Sequence, residues 1–325
     1  MVLILNRENV VKVLDMKDSI DILEKAFIEL SNGTAVLPLR IGINAPDGLN
    51  LYMPAYLKNM NAMACKVVSV YKDNPQKHNL PTTIGKVMLQ NPETGEVLCI
   101  MDGGYLTAVR TGAVSGLATR YLARQDRNQV VAIFGAGVQA QMQLWAVNEV
   151  RNLRKAIVFD TFPESAKKFA QDMSAKLGIP VEVVEKIEAM YDADILCTAT
   201  SSNTPILEGL KVNFGTHING IGSHAPKNRE LDTTTIKRSI LIADSREACL
   251  NEAGDVMIPI QEGAITPDHI YADLGEIVTH KKPGRTSKEQ ITLFKSNGLA
   301  IQDAATARLV YDKAKSAGIG VEVDI

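Results

Sequence analysis

Apolar residues recur at helical spacing near the start of the chain. After a short first strand, Val10, Val11, Val13 and Leu14 and then Ile20, Ile22, Leu23, Ala26, Phe27 and Leu30 follow that pattern, and Gly33 supplies a stop. Two opening helices are expected. Between Pro38 and Asp102 the period changes to strand-like runs over 39–41, 49–53, 64–71, 86–89 and 97–101, and Asn91-Pro92-Glu93-Thr94-Gly95 makes a hairpin of the last two. Close strands flanked by helices predict an antiparallel or mixed sheet. A helix over about 106–123 follows. From Val130 onward strands alternate with helices: strands over 130–134, 156–159, 181–184, 195–199, 217–219 and 240–243, with a helix over 164–177 and a short one before 195. Such alternation predicts a doubly wound parallel sheet with its ligand at the carboxyl ends of the strands. The closing helix, 303–317, carries Ala304, Ala307, Val310, Tyr311 and Ala314 on one stripe and is expected to pack back on the first domain. No internal repeat or low-complexity linker interrupts the pattern.

Where the strand period meets the helix period stands Val130-Val131-Ala132-Ile133-Phe134-Gly135-Ala136-Gly137-Val138-Gln139-Ala140. Strand, glycine turn and helix in that order form a mononucleotide-binding unit. Gly135 makes the tight turn, and Gly137 lets backbone N–H groups approach a pyrophosphate at the positive end of the helix. Ala140 stands where a third glycine is usual, and a small side chain suffices there. The next strand ends at Asp160, about twenty residues past the motif. An acid there accepts from the ribose hydroxyls of NAD and repels the extra phosphate of NADP. Thr161-Phe162-Pro163-Glu164 includes no arginine. The competing reading of Asp160 is a helix N-cap.

Composition narrows the class. With 325 residues, 46% of them hydrophobic and 22% charged, the chain suits a two-domain globular protein. A formal net charge of −2 and the lack of a basic stripe argue against nucleic acid. Cys65, Cys99, Cys197 and Cys249 are widely spaced, mostly in apolar runs, and read as buried thiols in a reducing compartment. Val2-Leu3-Ile4-Leu5 is too short for a signal core and no later stretch approaches a membrane span, so a cytoplasmic location is expected. The five histidines show no metal-ligand spacing, so no metal is expected.

Candidate chemistry begins at Lys66, which strand alternation places on one face with Ala64, Val68 and Val70. Burial lowers an ammonium's pKa and suits it to acid–base work near neutrality; the alternative is a lysine snorkelling at a strand edge. Arg110 shares a helical stripe with Leu106, Ala113, Val114 and Leu117. A guanidinium there needs an anion, either a substrate carboxylate or cofactor phosphate or an internal acid. Arg40 reads by alternation as part of a solvated face. His224, in Gly220-Ile221-Gly222-Ser223-His224-Ala225-Pro226, lies at the cofactor edge of the sheet, as an acid or base or as a loop residue of no function. Thr198-Ala199-Thr200-Ser201-Ser202 ends another strand at that edge. His217, inside a strand, reads as structural.

These residues resemble a family. Leu51-Tyr52-Met53-Pro54-Ala55, Lys66, Leu80-Pro81-Thr82, Arg110-Thr111-Gly112-Ala113, the glycine turn, Thr216-His217-Ile218-Asn219, Arg229-Glu230-Leu231-Asp232 and Gly298-Leu299-Ala300-Ile301-Gln302-Asp303 are similar, in order, to the ornithine cyclodeaminase and μ-crystallin family, which includes archaeal-type alanine dehydrogenases and ketimine reductases. The likeness covers essentially the whole chain. It implies an α/β architecture in which a Rossmann doubly wound parallel sheet, 119–298, is inserted in an α+β substrate and dimerisation domain, 1–118 plus 299–325, and it implies a homodimer. Arg40, Lys66, Arg110 and Asn297 fall on substrate positions. Thr82, Arg110, Thr111, Gly135, Gly137, Val138, Gln139, Asp160, Thr200, Asn219, Ile221, Gly222 and Ser296 fall on cofactor positions. For Arg40 the resemblance overrides the solvated-face reading.

Two departures bear on the reaction. Ornithine enzymes carry an aspartate at the position of His224 and a glutamate at that of Leu51, and this chain has neither acid. An ornithine side chain would lose its counter-charges, at a cost in a closed site. The expectation is therefore an NAD-dependent oxidoreductase of the alanine dehydrogenase or cyclic ketimine reductase type, acting on the CH–NH2 or C=N group of a small L-amino acid or its imine. Lys66 is the expected proton donor and His224 an auxiliary carrier. The alternatives are cyclodeamination of ornithine to proline plus ammonia, and an NAD(P)H-dependent binding protein of μ-crystallin type.

Overall fold

The computed structural model describes residues 1–223 and 225–324. The chain divides into two compact units, Met1–Arg110 with Leu299–Ile325, and Thr111–Gly298. In the first, β1 (Val2–Leu5), α1 (Arg7–Val13), α2 (Met16–Ser31), β2 (Ala35–Val36), β3 (Ile41–Ala45), β4 (Gly48–Leu57), β5 (Ala62–Val70), α3 (Asn74–His78), β6 (Thr83–Gln90) and β7 (Val97–Asp102) precede helix α4 (Gly103–Leu122). The two opening helices form as expected: Asp15 caps α2 by accepting from the Asp18 N–H at 2.9 Å, and Gly33 follows its end at φ +71°. The expected strand 39–41 begins only at Ile41, opposite Tyr52, and runs on to Ala45.

The second unit continues with β8 (Gln129–Phe134), α5 (Val138–Val150), β9 (Leu153–Phe159), α6 (Pro163–Leu177), β10 (Val181–Val183), β11 (Ile195–Thr198), β12 (His217–Gly220), α7 (Thr233–Arg238), β13 (Ser239–Ala243), α8 (Arg246–Glu252), α9 (Gly254–Gln261), β14 (Ile270–Asp273), α10 (Leu274–Val278) and β15 (Ile291–Lys295). Its sheet is parallel throughout, in the order β10-β9-β8-β11-β12-β15-β13-β14. Strand β8 thus lies where the order reverses, with β9 on one side and β11 on the other. In such sheets the crevice over the carboxyl ends at the reversal is the ligand site. The stretch after Ala243 holds two strands that periodicity does not reveal, and β15 enters between β12 and β13.

The chain then returns to the first unit as α11 (Ala300–Ser316) and β16 (Val321–Val323). That unit's sheet runs β16-β1-β7-β6-β5-β4-β2, with β3 also on β4; β1 and β7 are parallel and the remaining pairs antiparallel, giving a mixed sheet. Helix α11 packs on β4, β5 and β6 and against α2, burying Ala304, Ala307, Val310, Tyr311 and Ala314, the expected stripe. The division between the units falls inside α4, at Arg110/Thr111 rather than at 118/119. A Cβ on Gly112 would lie 2.5 Å from the Met142 carbonyl oxygen, so the second half of α4 is committed to α5 two turns earlier than 118/119 implies.

Candidate active site

In the second unit, β8 ends in Gly135, whose φ of +97° only glycine adopts without strain. Its N–H donates to the Phe159 carbonyl at 2.8 Å, and a Cβ there would lie 2.8 Å from the Ala199 oxygen. Gly137 stands at the N-cap of α5, and a Cβ on it would meet nothing within 4 Å, so space is open above the helix's unpaired N–H groups. Ala140 is fully buried, as the close helix–strand contact requires. Asp160 accepts from the Ala136 N–H at 2.7 Å and from the Phe162 N–H at 2.8 Å. A carboxylate has about four acceptor sites, so capacity remains for ribose hydroxyls. Phe162, not Asp160, is the N-cap of α6, which sets the capping alternative aside.

Gly135, Gly137, Val138, Gln139, Asp160 and Thr200 line a single cavity of about 700 Å3. An open glycine, a helix N-terminus and an acid with spare acceptor sites fit the pyrophosphate and ribose of a dinucleotide. Asn219, Ile221, Gly222 and Ser296 sit at neighbouring strand ends of this unit, and Thr111 lies on α4. Asn219 is buried and donates to the Thr119 hydroxyl at 3.0 Å; Ile221 and Thr111 are nearly buried. The Gly222 N–H donates to Glu230 at 2.8 Å. Ser296 donates to Asp244 at 3.1 Å, and Asp244 also takes the Asn297 N–H at 2.7 Å. Thr82 and Arg110 belong to the first unit. His217 is buried on Thr292, and desolvation, with the charges of Arg285 and Arg151, pushes it down to about 3, as a structural histidine. His224 lies outside the described residues.

In the first unit, β5 presents Lys66 on the covered side of the sheet, opposite Met53 on one neighbour and Val87 on the other. Only 2% of its side chain is exposed, and Nζ lies 2.8 Å from Asp303 Oδ2. Arg110, near the middle of α4, donates from Nε to Asp303 Oδ1 at 3.0 Å and from Nη1 to Gln302 Oε1 at 2.7 Å. The strand-edge alternative for Lys66 is thus set aside, while the internal acid for Arg110 exists and is shared. Burial, then the charge of Arg110, pushes the Lys66 ammonium down to about 8, against the pull of Asp303; Arg40 is close enough to depress it further. Two buried cations on one carboxylate leave a positive excess in a dry place. Such a cluster takes an anion readily and holds a transferable proton near neutral pH.

Asp303, Glu230 and Asp244 are the acids that hold these places together, and no role for them was expected. Asp303 lies in the first turn of an alanine-rich helix, and Asp244, like Asp160, directly follows a strand. An acid in an apolar helix turn or at the carboxyl end of a parallel strand is the signal that points to Asp303 and Asp244; Glu230 carries no such signal.

Comparison with known proteins agrees with this architecture. A family model described as ornithine cyclodeaminase/mu-crystallin family matches residues 2–318. A Delta(1)-pyrroline-2-carboxylate reductase of Bacillus cereus is 37% identical over 96% of this chain and 97% of its own. The structure of a Thermococcus litoralis Delta(1)-pyrroline-2-carboxylate reductase, in complex with NADH and L-proline, superposes with a TM-score of 0.95 at 49% identity, covering 99% of this chain and 100% of that one. An archaeal alanine dehydrogenase dimer with bound NAD has a TM-score of 0.94 at 35% identity, covering 100% and 99%. The glycine crevice and the buried lysine are therefore parts of one enzyme type: the chain belongs to the ornithine cyclodeaminase/mu-crystallin family and is an NAD-dependent oxidoreductase acting on the CH–NH2 or C=N group of a small amino acid or its imine.

Proposed function

We propose that this enzyme reduces the cyclic imine Δ1-pyrroline-2-carboxylate to L-proline. The observation that carries the reading is the pair Lys66 and Arg110 sharing Asp303 on an otherwise apolar sheet face. Met53 and Val87 flank Lys66 across the sheet, and Ala64 and Val68 flank it along the strand. A compact ring with one carboxylate matches that chemistry: the cations take the acid and the apolar floor takes the ring. An ornithine side chain, with its second ammonium, would meet Asp303, a carboxylate that Lys66 and Arg110 already share. The likeness to a reductase seen with NADH and L-proline points the same way.

In this scheme Arg110 and Arg40 hold the carboxylate, and Asn297 is a further substrate residue by resemblance. Lys66 gives its proton to the ring nitrogen, and reduced NAD supplies the hydride that closes the C–H bond. The products are L-proline and oxidised NAD, with no ammonia released. Gly135, Gly137, Val138, Gln139 and Asp160 hold the dinucleotide's first half, and Thr111, Thr200, Asn219, Ile221, Gly222 and Ser296 its second. Thr82 and Arg110, in the first unit, are cofactor residues by resemblance alone. The test is a panel read by NADH absorbance and ammonia. NADH loss with the imine well above that with pyruvate plus ammonia supports the reading; ammonia from ornithine without net NADH change overturns it.

We also propose a homodimer built on the opposite face of the same sheet. Ile41, Tyr52 and Val67 stand side by side across three strands there, 60%, 37% and 40% exposed. An apolar row of that kind is costly in water. Ile41→Asp with Val67→Lys should convert a dimer to a monomer in light scattering; unchanged mass would count against this face. No described helix is long and apolar enough to cross a membrane. A reducing cytoplasm suits the free thiols, since burial pushes Cys99 and Cys197 up to about 12.

A further inference from the structure

We propose that Glu230 is a positioning residue for the nicotinamide half of the NAD site, tying the loop after β11 to the loop after β12 through one buried carboxylate. The inference rests on reading Thr200 and Gly222 as cofactor contacts. In a doubly wound sheet the half bearing Asp160 takes the adenosine, so the strands beyond β8, β11 and β12, take the nicotinamide nucleotide.

Glu230 is completely buried. Its Oε1 accepts from the Thr200 N–H and the Thr200 hydroxyl, each at 2.6 Å, and its Oε2 accepts from the Gly222 N–H at 2.8 Å. All three partners are donors, so both oxygens of the carboxyl act here as acceptors. Burial pushes this carboxyl up, and the Thr200 donors pull it back. Gly222 is matched to it: a Cβ there would lie 2.4 Å from Glu230 Cδ and 2.4 Å from the Thr200 oxygen. Thr200 and Gly222 lie just past the ends of β11 and β12, and the one carboxylate takes both amides.

A second layer fixes the carboxylate. Asp255 Oδ1 accepts from the N–H groups of Glu230 at 2.8 Å and Leu231 at 2.9 Å. Its Oδ2 lies 3.3 Å from Lys295 Nζ, with both side chains wholly buried. Lys295 in turn donates to the Gly220 carbonyl at 3.1 Å, where β12 gives way to the loop. Buried ion pairs add little net stability compared with apolar packing of equal volume. What this one provides, and an apolar substitute would not, is a fixed direction for the Glu230 backbone and for Gly220.

The test compares two probes on the purified enzyme. Glu230→Gln keeps the shape but turns one acceptor into a donor, so one loop loses its anchor. NADH affinity, read by energy transfer from the single tryptophan, Trp145, should fall at least tenfold. Affinity for ADP, which has only the adenosine half, should stay within twofold. Equal weakening of both probes, or no weakening of NADH, overturns the proposal. Hydrogen exchange on the unmodified, cofactor-free enzyme tests it without a variant: the Thr200 and Gly222 amides should be protected as strongly as strand amides, and exchange at open-loop rates overturns it. Failure of the unmodified enzyme to bind NADH would instead strike at the NAD site itself.

Discussion

Each unit buries a cluster of lysine and carboxylate side chains, and the two have opposite balances. In the first, Lys66 and Arg110 share Asp303, two cations to one anion. In the second, Lys295 stands with Asp255 while Glu230 lies beyond it, one cation to two anions. The surplus negative charge is met inside the protein, by the backbone N–H groups of Glu230, Leu231, Thr200 and Gly222. The surplus positive charge cannot be met that way, because a backbone carbonyl brings only a partial charge. A cluster that the fold completes is architecture; one that it leaves an anion short is, on the proposed reading, a binding site.

Several variants break or sharpen that contrast. The largest effect is expected for Lys295→Met, which strands Asp255 in the interior; unfolding free energy should drop by about 3–5 kcal/mol in urea denaturation. Lys66→Met should be much milder on stability, because Asp303 keeps Arg110. Its turnover should instead fall ~100-fold or more with NADH affinity unchanged. If the two lysines exchanged these signatures, the distinction between the clusters would be lost. Arg110→Lys loses the planar guanidinium at the carboxylate and should raise the imine KM by about tenfold, in line with one charge-assisted hydrogen bond.

The subtlest effect concerns pH. Reduction needs Lys66 protonated, so kcat/KM should decline as pH rises through about 8. Asp303 raises the Lys66 pKa, so Asp303→Asn should move that alkaline limb to lower pH. A limb that stays in place would detach Lys66 from the titration.

The parts legible in the sequence are those whose partners are close by along the chain. The turn at Gly135 and Gly137 announces itself because strand, turn and helix are contiguous, and Lys66 because alternation alone sets its face. Asp303 does not, since it meets Arg110 from 193 residues away. Glu230 reads as one acid in a polar tetrapeptide, because its partners at Thr200 and Gly222 arrive from other strand ends. The placement of β15 between β12 and β13 is equally hidden: a short apolar run carries no period that states its neighbours.

The central claim, that the cationic cluster presents a cyclic imino acid's C=N carbon to reduced NAD, is tested most directly by isotope. With NADH deuterated at the transferred position of the nicotinamide, Δ1-pyrroline-2-carboxylate should yield L-proline bearing one deuterium on the α-carbon, with no ammonia released. Proline without the label, or no NADH consumed with this imine, would contradict the account.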